Sequence, residues 1–182
     1  MNLKELKRDV LALIEELNPN SEYLTDDPDI QAKMNSVINQ VQMELARMKK
    51  ITAYSTESVK GGEVFELNDL EEFYQLRLIR TSNDTSYDVI ENDVIFAEDC
   101  EATFFYYKFP KTITNETPDT YKFELSKDAL GILPYGVASD LLKSDVSAQY
   151  GTVYAQRYET MLQRLDPRYS MSSIYIEGGV NI

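Results

Sequence analysis

Asp26, Asp27 and Asp29 stand close together in the stretch TDDPD. Three carboxylates at that spacing are hard oxygen ligands of the kind that suits a divalent cation. The same residues also suit a helix start: Asp27 as N-cap, Pro28 at the first helical position, and negative charge facing the positive end of the helix dipole. The second reading is preferred, and no metal site is expected. Glu71-Glu72 and Glu98-Asp99 read as solvated turns. The chain has no histidine and one cysteine, Cys100. Triads and zinc centres that need imidazole are therefore excluded, and the thiol has no partner for an internal bridge. Gly61-Gly62 and Gly178-Gly179 lack the strand–loop–helix setting of a phosphate cradle. No catalytic residue, metal or cofactor is assigned, and an enzyme is not expected.

The aromatic residues are the other chemically distinctive group. Among 182 residues there are 13 tyrosines and no tryptophan. Phe104, Phe105, Tyr106 and Tyr107 are consecutive in EATFFYYKFP. Neighbours in a strand point to opposite faces, so Phe104 and Tyr106 share one face and Phe105 and Tyr107 the other. A strand that is aromatic on both sides is covered on both sides. The chain's own helices are expected to supply one cover and a neighbouring protein the other. Tyr150, Tyr154 and Tyr158 recur every four residues on one helix face. They suit a half-buried stripe with hydroxyls at the rim, or a subunit interface. Phe105, Tyr107, Tyr150, Tyr154 and Tyr158 are the interface candidates.

Charge argues against stacking on nucleic acid. The net charge is −13. Residues 51–125 hold 6 basic and 16 acidic groups, a balance of −10, so the acid is concentrated in the middle of the chain. Such a segment is expected to repel phosphate, whereas stacking platforms sit in positive grooves. No run of about 20 apolar residues is present, so no membrane span is expected. The amphipathic start MNLKELKRDV has no apolar signal core, which implies manufacture and use in a cytoplasm.

The elements that position these residues follow from hydrophobic spacing. Leu3, Leu6, Val10, Leu13, Ile14 and Leu17 form a helical stripe, with Asn2 and Glu5 as a capping box. Ile30, Met34, Val37, Ile38, Val41, Leu45 and Met48 form a second, and the short loop between them predicts an antiparallel hairpin. From residue 51 the period changes to that of strands. ITAYSTESV, EVFEL, FYQLRLIRT, YDVI, VIFA and ATFFYYKF are separated by turn residues such as Lys60-Gly61-Gly62 and Ser82-Asn83-Asp84. One small antiparallel sheet with a wet face is expected. Helix returns after Ser126, where Pro134 should shorten or kink it, and again from Ser144 or Asp145 to Asp166-Pro167. The predicted fold class is α+β: a bundle of about four helices (residues 1–50 and 126–167), an inserted antiparallel β region (51–125) and an extended C-terminal tail (168–182).

The order of these elements resembles the head–tail adaptor (connector, or tail tubular) proteins of tailed bacteriophages. The resemblance rests on the aromatic strand closing on Tyr106 to Pro110, on Pro118-Asp119, on the helix carrying Ala138 to Leu142, and on the tyrosine-rich last helix with Arg157 to Leu162. It spans about residues 100–167, and its weight lies in order and spacing. It implies a non-enzymatic virion protein of the neck, assembled in the host cytoplasm. Such a protein forms a ring, commonly a dodecamer, beneath the portal protein and docks the tail or nozzle proteins. DNA passes through the channel without sequence-specific binding, along a wall that the acidic segment is expected to line. The tail, about 50 Å long if extended, is expected to dock on the portal by adding Ile174, Tyr175 and Ile176 as a strand to a partner's sheet. Two other readings stand beside this one. The first is another tail-completion or baseplate component. The second is an acidic regulatory protein that mimics DNA and offers its negative segment to a basic partner.

Overall fold

The computed structural model describes residues 1–143 and 149–165. In chain order the elements are α1 (Leu3–Leu13), α2 (Pro28–Met48), β1 (Ile51–Val59), β2 (Val64–Glu66), a 3₁₀ turn (Leu67–Asp69), β3 (Phe73–Thr81), β4 (Tyr87–Ile90), β5 (Asp93–Phe96), β6 (Cys100–Lys108), α3 (Lys127–Leu142) and α4 (Gln149–Leu165).

The helix starts follow the local sequence. Asn2 and Glu5 form the reciprocal capping box, each side chain accepting from the other's backbone N–H at 2.8 Å. Asp27 Oδ1 accepts from the N–H groups of Asp29 and Ile30, and Pro28 occupies the first turn of α2. Ser126 caps α3. Pro134 does not shorten α3, which runs on to Leu142. The proline removes one intrahelical bond, and burial of Ile132, Leu133, Val137, Ala138 and Leu141 offsets that loss.

The expected antiparallel hairpin of the first two helices is not how they are held. α3 is apolar almost all round, and α1, α2 and α4 each pack against it. The chain before α3 is fastened to this assembly at two places. Leu3 and Lys4 donate to the carbonyls of Tyr121 and Asp119, and α2 grips residues 111–113 through Asn39 and Gln42.

The expected architecture, a helical bundle with one small inserted sheet, is overturned. The described residues are α+β, with four helices and two three-stranded antiparallel sheets, ordered β1-β6-β3 and β2-β5-β4. The strands supply a core of their own, made of Val59, Leu67, Leu70, Ile79, Val94, Phe96, Ala102, Phe104 and Tyr106. The physical reason lies in the inward positions of β2 and β5. Phe65, Val94 and Phe96 are large enough to bury the first sheet's inner face, so the sheets close on each other. The Phe65 ring stacks on Phe104 at 4.6 Å between centroids, and Phe96 meets Phe104 edge-on at 6.2 Å. The cover over Phe104, expected from the helices, is the second sheet, while Tyr106 lies against Phe73 with its hydroxyl donating to the Glu71 carbonyl.

Candidate interaction surface

β6 is the central strand of the first sheet and carries the aromatic run. Its residues alternate as the strand geometry requires: Ala102, Phe104 and Tyr106 are buried, while Thr103, Phe105 and Tyr107 are half-buried. Register with β1 sets Tyr54 opposite Phe105 and Thr52 opposite Tyr107. Register with β3 sets Leu78 opposite Phe105 and Arg80 opposite Thr103. The outer face of this sheet is therefore built around the Tyr54, Phe105, Tyr107 and Leu78 side chains. Tyr54 is 73% exposed and Leu78 45%.

Cations lie over these rings. The Arg77 guanidinium is 5.2 Å from the Tyr107 ring centre, and that of Arg80 is 5.4 Å from Phe105. Lys50, just past the end of α2, places its ammonium 4.5 Å from Tyr107 and donates to Gln75 Oε1 at 2.6 Å. At these distances ring and cation attract, and the cation keeps its charge available to a partner. The order of β3 makes this possible. Simple alternation would send Leu76 and Leu78 to the same side. Register slips between Phe73 and Gln75 and between Leu76 and Leu78 break that alternation. Leu76 and Ile79 then face the inter-sheet core, while Arg77 and Leu78 remain exposed.

The charge count along the segment did not show how its charges are sorted by face. The β region is acidic as a whole, yet its Arg77 and Arg80 join Lys50 on one sheet face. Net charge over a segment counts residues, and the pleat sorts them by side. The sequence signal that identifies the face was present in the polar–aromatic alternation of Thr52, Tyr54 and Thr56 and in the arginines flanking Leu78 and Ile79.

The second sheet has an outer face of the opposite kind. Val64, Ile95 and Asp88 lie side by side across β2, β5 and β4, and Glu66, Asp93 and Ile90 form the next row. Val64 is 55% exposed and Ile90 60%.

Two of the α4 tyrosines are used within the chain. Tyr154 donates its hydroxyl to the Leu13 carbonyl at 2.5 Å, tying α4 to α1. Tyr158 donates to Glu44 Oε2 at 2.7 Å, tying α4 to α2. Burial, the Glu44 hydrogen bond and the charges of Glu44 and Asp140 push the Tyr158 phenol far above its ordinary value. Burial and the charges of Glu124 and Glu72 push Tyr121 up to about 12. Tyr150 falls in the first turn of α4, with its side chain outside the described part of the structure; Ile174, Tyr175 and Ile176 lie outside the described residues.

The carboxylates of TDDPD do not converge. Asp27 caps α2, while Asp26 accepts from Asn18 Nδ2 at 2.5 Å. Among the described residues no cluster of three acidic, cysteine or histidine side chains is arranged to hold a metal ion. Cys100 is half-buried at the start of β6, and burial with the neighbouring Asp99 charge raises its thiol pKa. No family model matches the chain, and no curated protein matches it.

Proposed function

We propose that the protein is a structural subunit of the neck of a tailed bacteriophage: a head–tail adaptor that assembles as a ring beneath the portal protein, extends the DNA channel and docks the tail. The observation that carries this reading is the first sheet, aromatic on both faces and, among the described residues, covered by another element on one face only. Half-buried rings carrying cations, with Tyr54 and Leu78 exposed beside them, are binding chemistry: large, rigid contact area with polar tips and little side-chain entropy to lose. The resemblance of residues 100–167 to the adaptor family gives that binding surface its setting. In this reading the helices are the rigid base, braced by the Tyr154 and Tyr158 hydroxyls, and the sheets are the part presented to partners.

The test is assembly with the portal protein. Purified chain and portal are mixed, and the product is weighed by sedimentation and imaged by electron microscopy. The expected result is a closed ring seated on the portal. Separate sedimentation of the two proteins, with no complex in the images, rejects the assignment.

A further inference from the structure

Among the described residues, two sheet faces of opposite character have no element packed over them. One presents Tyr54, Leu78 and Phe105 with Lys50, Arg77 and Arg80. The other presents Val64, Ile90 and Ile95 with Glu66, Asp88 and Asp93. Each pairs an apolar centre with charges of a single dominant sign, and the signs are complementary. We propose that the occupant of the basic aromatic face is a second copy of this chain, presenting its acidic aliphatic face. This inference rests on the ring reading above and names the surfaces that build the ring.

The chemistry favours this occupant over a nucleic acid strand. Arginine forks recognise carboxylates in pairs, and Asp88, Asp93 and Glu66 offer three on one small surface. Exposed valine and isoleucine fit between aromatic rings, where a sugar–phosphate chain would leave Leu78 and Tyr54 poorly covered. Glu101 stands on the same outer face of β6, and a net charge of −13 opposes any long phosphate run. The two faces are different patches, so the contact is head-to-tail. Contacts of that type propagate from copy to copy and close into a ring when the rotation allows.

Size sets the strength. The second sheet's outer face is three strands wide and three to four residues long. At about 3.3 Å per residue and about 4.8 Å per strand it measures roughly 12 by 14 Å. That is well below the area of a stable pairwise interface, roughly 800 Å² per partner. Each contact is weak alone and gains strength when closure makes every copy engage twice.

The experiment is a charge swap read by sedimentation at high protein concentration, about 100 µM, where contacts this small populate. Wild type is expected to sediment as an oligomer. Arg77→Glu/Arg80→Glu and Asp88→Lys/Asp93→Lys, each alone, are expected to sediment as folded monomers, with circular dichroism as the check on folding. Mixed one to one, they are expected to regain the wild-type size, because each swapped face meets its opposite. A second readout captures weak contact: Leu78→Cys protein mixed with Ile90→Cys protein, both carrying Cys100→Ser, is expected to give a disulfide-linked heterodimer on oxidation. If both charge variants assemble like wild type, these faces are not the interface and the inference falls while the ring reading survives. The inference also falls if wild type stays monomeric and the cysteine pair does not link; the portal experiment then decides the ring reading separately. Binding of oligodeoxythymidine by a monomeric wild type, lost in Arg77→Glu/Arg80→Glu, would overturn self-association in favour of a stacking surface for single strands.

Discussion

The ring of Tyr158 fills the space beside Gly136. A Cβ placed on Gly136 would lie 2.7 Å from Tyr158 Cε2 and 2.6 Å from Val41 Cγ1. Three helices meet at this point, and they meet closely because residue 136 has no side chain. Gly136→Ala is therefore expected to destabilise the fold despite alanine's better helix propensity. The cost of overpacking, about 1–3 kcal/mol, exceeds the roughly 1 kcal/mol gained from propensity. Urea denaturation measures the balance. Adding Val41→Ala should return part of the loss, because it removes one of the two atoms in the way.

Stability is expected to fall at alkaline pH. The folded-state values of Tyr158 and Tyr121 are both raised, so the fold favours the neutral phenol. That contribution is complete below the ordinary phenol value near 10 and is lost progressively as pH rises above it. The urea midpoint should hold from neutral pH to about 10 and then decline. Tyr158→Phe has no proton to lose and should decline less steeply. An identical slope in the variant would refute the assignment to Tyr158.

Asn39 holds the chain between the sheets and α3. Its Oδ1 accepts from Ile113 N at 2.7 Å, and its Nδ2 donates to Ile113 O at 2.8 Å. Asn39→Ala strands both backbone groups, and an expected cost of about 1–3 kcal/mol follows. Hydrogen exchange offers a local readout, with the Ile113 amide losing protection before the helices do.

Adjacent aromatics should respond in opposite ways. Phe104 is fully buried between the sheets, and Phe104→Ala should cost about 3–5 kcal/mol through the cavity it leaves. Phe105 faces outward beneath Arg80, and Phe105→Ala should cost about 1 kcal/mol or less in stability. Phe105→Ala should instead weaken assembly in the sedimentation experiment, because it removes the centre of the outer face. Denaturation and sedimentation run on both variants check the two halves of this prediction.

Asn2→Ala breaks the capping box at the start of α1. An expected loss of about 1 kcal/mol would appear as a lower urea midpoint.

Much of the local structure was legible in the residues themselves. The caps at Asn2, Asp27 and Ser126, the stripe of α2 and all six strand segments follow from spacing and turn residues, because each depends on neighbours within a few positions. The stripe of α1 was legible only in part: the helix stops at Leu13, short of Leu17, and buries Leu11, which the stripe left out. The alternation of Phe104 and Tyr106 against Phe105 and Tyr107 was equally plain, since pleating is local. Partition of the strands was not. Whether six strands make one sheet or two depends on which large residues find each other across 30 or more positions, as Phe65 finds Phe104. The candidate surface was hidden for the same reason. Lys50, Arg77 and Arg80 belong to different elements or to a strand with slipped register, and counting charge along the chain merged them with the acids around them. Period and capping are short-range consequences of backbone geometry, so the sequence by itself determined the elements and which side of each is apolar. Pairing register and sheet-on-sheet packing are long-range outcomes of burial, so only the tertiary structure decided which aromatic face the second sheet closes and which charges gather on the other.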